Sequence, residues 1–162
     1  MLGTRRLLLE PLAVGHADEM APVLDDPALH VFTGGAPLTP GRLRARYRRL
    51  ELGRSADGSQ RWLNWIVRLC ADRQAIGATQ ATVTADDDRV IARLAWTIGV
   101  RHQRQGYATK AARAMATWLR QEGVDVLLAD IRPGHVASIK VARAVGLAPT
   151  GQVLDGEIRW IG

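Results

Sequence analysis

The residues best suited to chemistry run from Gln103 to Thr109, in the order Gln-Arg-Gln-Gly-Tyr-Ala-Thr. An apolar segment precedes them and a helix-patterned one follows. The first amides of a helix have no intrahelical partner and point outward along the axis. They carry partial positive charge, so an anion placed there is stabilised by the helix dipole and by hydrogen bonds together. Gly106 has no Cβ and Ala108 only a methyl, so a phosphate could approach the backbone closely. Gln103, Arg104 and Gln105 add side-chain donors and one fixed charge, and Thr109 adds a hydroxyl. The expected chemistry is that of a phosphate cradle. Residue types alone do not say whose phosphate.

Such a loop works only between a strand and a helix, and the pattern supplies both. Val90 to Val100 reads as a strand, joined to another over Ala75 to Thr84 by the turn Asp86-Asp87-Asp88. Thr109 to Glu122 reads as a helix burying Ala111, Ala112, Met115, Trp118 and Leu119, with Gly123 at its C-cap. Upstream, Thr4 to Leu12 predicts a first strand, and Gly15 to Leu24 a helix stopped by Asp25-Asp26-Pro27. Residues 31–41 predict a loop, and Arg42 to Leu52 an arginine-rich amphipathic helix inward-facing at Leu43, Tyr47 and Leu50. The alternation from Arg61 to Leu69 places Trp62 and Asn64 on one face and Trp65 on the other, so at least one tryptophan belongs to the core. Downstream come a buried strand over Val124 to Ile131 and a short helix over Ala137 to Val145. The last hairpin turns at Asp155-Gly156. The order β-α-α-β-β-β-α-β-α-β-β, with no linker or repeat, predicts one α/β domain over residues 1–162.

The run Gln103-x-x-Gly106-x-Ala108 after a strand resembles the signature of the GCN5-related N-acetyltransferase superfamily. Gly106-Tyr107-Ala108-Thr109 is similar to its ribosomal-protein N-terminal acetyltransferase branch. Ile131-Arg132-Pro133-Gly134-His135-Val136-Ala137-Ser138 followed by Gly146-Leu147 resembles a second element of that branch. The resemblance implies a mixed, mostly antiparallel twisted sheet of about seven strands. A V-shaped splay at the central parallel pair and helices on both faces complete the expected fold. It also implies acetyl-CoA as co-substrate, a primary amine as acceptor, no metal, and direct attack in a ternary complex. On this reading Gln103 to Thr109 bind pyrophosphate, with Ile98, Val100, His135 and Ser138 further along the cofactor. The backbone amide of Ile98 would polarise the acetyl carbonyl, Ser138 would serve the leaving thiolate, and Asn64, Gln80 and Trp96 would line the acceptor site. Three positions depart from the pattern: His135 stands where asparagine is usual, Leu147 where phenylalanine is, and Ala142 where many members place a tyrosine acid. The family's usual carboxylate base has no counterpart between Val90 and Val100, which leaves Asp130, Glu157, His102, His135 and a water relay through Asn64 or Gln80 open.

Bulk properties narrow the alternatives. No apolar run reaches the roughly 18–20 residues of a membrane span, and Leu7 to Leu9 is too short for a signal peptide. Cys70 is the single cysteine, compatible with a reducing cytoplasm and expected to be a small buried hydrophobe. A net charge of +6 favours anionic partners, yet no nucleic-acid recognition motif accompanies it, so nucleic acid is not an expected partner. His16 and His30 form no metal-ligand spacing. A homodimer is compatible with the sequence, without a specific signal. A catalytically weak acyl-CoA-binding or partner-docking module is the alternative to an enzyme.

Overall fold

The computed structural model describes every residue except Thr33, which falls in the expected loop 31–41. The strands are β1 (Leu2–Gly3), β2 (Leu7–Pro11), β3 (Gln60–Leu69), β4 (Ala75–Asp86), β5 (Arg89–Ile98), β6 (Val126–Ile131), β7 (Ala148–Leu154) and β8 (Glu157–Ile161). The α-helices among the described residues are α1 (Ala17–Leu24), α2 (Pro40–Glu51), α3 (Tyr107–Gln121) and α4 (Val136–Ala144). The strands form one sheet in the order β1-β2-β3-β4-β5-β6-β8-β7. The sheet exceeds the expected seven strands by one because Thr4 breaks the expected first strand. Its hydroxyl accepts from the Leu7 N–H at 2.9 Å, and its own N–H donates to the Leu7 carbonyl at 2.8 Å. The chain therefore folds back, and Leu2 pairs with Leu9.

Period-two alternation places helices on both faces, as expected. Trp65 and Val67 of β3 turn toward α3 and join Ala111, Met115 and Leu119 in the larger core. Ile66 turns the other way and packs with Met20 of α1 and Leu43 and Tyr47 of α2. Alanines at 111, 112 and 116 let α3 lie close on the sheet, and Trp118 meets Trp65 edge-on at 5.5 Å. Gly123 and Gly146, both at positive φ, terminate α3 and α4. In each case an N–H five residues on closes the end, Val124 to Leu119 and Leu147 to Ala142, each at 3.0 Å. Leu147 is buried as the apolar half of that motif. Cys70, in contrast, is exposed, because it follows β3 directly in a turn.

Among the described residues only one pair of strands, β5 and β6, is parallel. They match at Ile91–Val126, Ala92–Leu127 and Arg93–Leu128 and nowhere further, although β5 runs on to Ile98 and β6 to Ile131. The other edge of β5 stays paired with β4 as far as Gly77–Ile98. The sheet thus opens into a V between β5 and β6, the expected splay.

Candidate active site

Successive residues of a strand turn their N–H and C=O groups to opposite edges. The Asp125 N–H reaches the Val90 carbonyl at 2.9 Å on the β6 side, and the Gly99 N–H reaches Ile76 of β4 at 2.8 Å. The β5 register has no irregularity, so Leu94, Trp96 and Ile98 turn their backbone groups into the V. An extended, amide-bearing ligand could pair there like an added strand. The carbonyl of Ile98 accepts from Gln103 Nε2 at 3.0 Å, which leaves its N–H as the donor aimed at the gap. Gln103 therefore ties the loop to the strand with its side-chain amide.

The strand ends two residues earlier than expected. Val100 to His102 instead form a single 3-10 turn, closed by the His102 N–H on Gly99 at 2.8 Å. Arg104 and Gly106 then take positive φ, 61° and 76°, with Gln105 between them. Such alternation turns successive N–H groups toward one concave side, the geometry of an anion nest. A Cβ on Gly106 would meet nothing within 4 Å, so its backbone conformation, and not crowding by the protein, calls for glycine. No side chain caps α3, which leaves its first amides available to an anion. Gln103, Arg104, Gln105 and Gly106 are exposed and Ala108 and Thr109 half-buried, as a ligand site requires. Tyr107 differs: its ring is buried and its hydroxyl accepts from Arg6 Nη2 at 2.7 Å. Only its backbone is left for a ligand.

Two other groups converge on the open end of the V. β6 leads through a short turn into α4, where His135 is the N-terminal cap and Ser138 lies in the first turn. Ser138 Oγ does not cap the helix; it lies 3.4 Å from His135 Nε2. The His135 ring stacks on Phe32, centroids 4.2 Å apart and planes 3° from parallel. Burial lowers the His135 pKa from its ordinary value. His30, two residues before Phe32, has a buried Nε2 without a hydrogen-bond partner among the described residues. A cavity of about 610 Å³ opens between Val23 and Asp25 of the α1 end and Gly99 to His102, and none of Phe32, His135 and Ser138 lines it. A larger one, about 660 Å³, lies on the other flank of α3 against Arg5 and Arg6 and touches neither β5 nor β6.

Of the three residues expected to line an acceptor site, Trp96 is separated from the other two. Asn64 and Gln80 are direct cross-strand partners on the face that carries α1 and α2. Trp96 lies on the opposite face, packed into the α3 core, so only its backbone reaches the V. Beyond the helices, the Asn64 face continues to Arg93, Asp130 and Arg159. Asp130 accepts from Arg159 at 2.9 and 3.2 Å and lies 3.5 Å from Arg93. Both its oxygens are engaged, which leaves it poorly placed to take a proton from an amine. Sequence reasoning missed Phe32 altogether: the sole phenylalanine in a loop carries no periodic signal, and its partner lies far along the chain.

A family model described as an acetyltransferase (GNAT) domain matches residues 6–148. No curated protein matches the sequence. Among solved structures, a GNAT-family acetyltransferase from Bacillus anthracis superposes with a TM-score of 0.77 at 14% identity, over 99% of this chain and 95% of the other. An acetyltransferase from Thermus thermophilus does so with a TM-score of 0.76 at 18% identity, over 100% and 99%. The aminoglycoside acetyltransferase AAC(6')-Ib, in complex with coenzyme A, gives 0.77 at 17% identity, over 96% and 92%. At these identities the structural likeness speaks for the fold.

Proposed function

Because the chain belongs to the acetyltransferase (GNAT) domain family, an acyltransferase family, we propose that it moves an acetyl group from acetyl-CoA to a primary amine by direct attack. The observation that carries this reading is the continuity of the backbone edge of β5 in the V with the nest at Arg104 and Gly106. One strip thereby offers amide partners and an anion cradle in the order that a pantetheine joined to a pyrophosphate needs. The backbone from Arg104 to Thr109, with the Arg104 and Gln105 side chains, would hold the pyrophosphate. Trp96, Ile98 and Val100 would meet the pantetheine through backbone groups. The Ile98 N–H would face the acetyl oxygen, where one such donor contributes ~3 kcal/mol once charge develops. Bound acetyl-CoA supplies the activated acyl group.

The acceptor is read as a small-molecule amine or a protein N-terminus, the latter in keeping with the Gly106-Tyr107-Ala108-Thr109 run. An N-terminal amine has a pKa near ~8, which lowers the demand on a base. Asn64 and Gln80 present side-chain amides on the α1 and α2 face, suited to a water relay. Ser138 would give its proton to the leaving sulfur. One observation favours a second reading, an acyl-CoA-binding module with little turnover: Ala142 is fully buried where many relatives place a proton donor.

Acetyl-CoA at ~100 times its dissociation constant stabilises the folded state by about 2.7 kcal/mol. For a chain of this size that is a rise of about 5–10 °C in melting temperature. Gly106→Glu, which puts a carboxylate over the nest, is expected to abolish the rise. No shift with wild type at millimolar acetyl-CoA rejects the cofactor assignment. A shift without thiol release across a broad amine panel selects the binding-module reading.

A further inference from the structure

We infer that residues 23–32, from the end of α1, form a strap across the mouth of the V, and that its Phe32–His135 clasp positions the Ser138 hydroxyl for the departing sulfur. The inference rests on the acetyl-transfer reading and adds to it a residue of the strap and a role for His135.

Both ends of the strap are anchored at the parting strands. At one end Val23 lies against Gly99, just past β5, so closely that a Cβ on Gly99 would stand 3.0 Å from Val23 Cγ1. At the other end Phe32 lies flat on His135, just past β6. Between them Asp26 caps a 3-10 turn over Pro27–His30, its carboxylate accepting from the Ala28 N–H at 2.9 Å. The connection is thus a shaped segment running from one wall of the V to the other. The stack fixes the plane of the His135 ring, and with it the position of Nε2 beside Ser138 Oγ at 3.4 Å.

That placement decides what the serine can do. An imidazole with its proton on Nε2 donates to Ser138 Oγ, so the hydroxyl hydrogen is turned away from the ring and is free to meet another acceptor. Desolvation keeps this ring neutral at neutral pH, the form that lies flat on an apolar ring and retains one N–H. In the reaction the amine nitrogen bonds to the acetyl carbon, and the carbon–sulfur bond breaks with its electron pair on sulfur. Sulfur takes the Ser138 proton, and the His135 Nε2–H, which keeps its own proton, steadies the charge left on Oγ. Oγ is reprotonated from solvent, which receives the proton released by the amine nitrogen. A contact of 3.4 Å is at the long end for a hydrogen bond and shortens as charge builds on the oxygen. His135 acts through Ser138 and is therefore a positioning residue.

The test uses the full chain, acetyl-CoA and hydroxylamine as the amine probe, following thiol release. Ser138→Ala is expected to lower kcat by about 100-fold, within the range for a proton donor. His135→Phe and Phe32→Leu are each expected to lower it about tenfold, with the KM for acetyl-CoA moving less than about twofold. The double variant Ser138→Ala/His135→Phe should be no slower than Ser138→Ala alone, because the two act as a unit. His135→Asn, which keeps a side-chain donor without the stacked ring, should recover much of the rate and become insensitive to Phe32→Leu. Additive losses, or effects confined to KM, overturn the proposal. A second readout needs no turnover: the ¹⁵N signals of the His135 imidazole, identified by their loss in His135→Asn. They should move in both Phe32→Leu and Ser138→Ala with coenzyme A bound, and unmoved signals overturn the proposal. Absence of coenzyme A binding by calorimetry instead rejects the acetyl-CoA reading itself, which separates the two failures.

Discussion

Gly77 and Gly106 flank the same stretch of backbone, and each is glycine for a different physical reason. Gly77 pairs with Ile98 across β4 and β5, and a Cβ there would stand 2.2 Å from the Thr97 carbonyl oxygen and 2.8 Å from the Ile98 side chain. Neither neighbour can retreat without unpairing the strand that lines the V. Gly106 has open space around it and is constrained only by its positive φ. The two therefore separate stability from binding. Gly77→Ala is expected to cost about 3 kcal/mol through overpacking, a fall of about 10 °C in melting temperature by calorimetry. Gly106→Ala should cost only about 1 kcal/mol, the penalty of a left-handed L-residue. A loss equal at both sites would contradict this account. Tyr107 shows a related division at the same scale: its side chain belongs to the core while its amide remains available.

Between elements, Arg68 is the fastening that holds α1 to the sheet. Its guanidinium bonds Glu10 of β2 and Glu19 of α1, with 2.8 Å from Nη1 to Glu19, and also reaches the Arg73 carbonyl at 3.0 Å. Hydrogen bonds from Arg68 hold both carboxyl groups below their ordinary range, against a smaller opposing effect of burial. A folded-state pKa below the unfolded one stabilises the fold above the unfolded value near ~4.3, and that stability is lost as pH falls through the folded pKa. Chemical denaturation followed from pH 7 down to pH 2 should show this loss. Arg68→Met should lower stability at pH 7 by about 1–3 kcal/mol, the lower part of that range reflecting partial exposure to solvent. It should also flatten the acid limb of the profile. An acid limb unchanged in Arg68→Met would mean that other carboxylates dominate. Since α1 leads directly into the strap, this cluster also bears on where Val23 meets Gly99.

Across the whole molecule the governing feature is an unequal sheet: β5 is paired along its full length on one side and over three residues on the other. Amide exchange should record this as an alternation. Without cofactor, the amides of Trp96 and Ile98, which face the V, should exchange faster than those of Ala95 and Thr97, which are paired to β4. Saturating coenzyme A should slow the first set and leave the second almost unchanged. Uniform protection along β5 in the free protein would mean that the V is closed in solution. Among the described residues no helix is long and apolar enough to cross a membrane, and no group of three potential metal ligands comes together.

Local signals reach far into this structure. Hydrophobic period, the turns within Asp86-Asp87-Asp88 and at Asp155-Gly156, and the glycines ending α3 and α4 are properties of a few adjacent residues, so the element order and the two faces of β3 were legible in the sequence. The glycine and small side chains of the loop were legible too, at consecutive positions from Gln103 to Thr109, whereas the positive φ of Arg104 has no signal in its residue type. The tertiary structure alone decided the parting of β5 and β6, the separation of Trp96 from Asn64 and Gln80, the occupation of Asp130 by arginine, and the meeting of Phe32 with His135. Each depends on residues distant in sequence or on which edge of a strand a group faces, and a linear pattern contains neither. Chain-local physics thus determined the loop and its available amides, and long-range packing decided what surrounds the gap beside them.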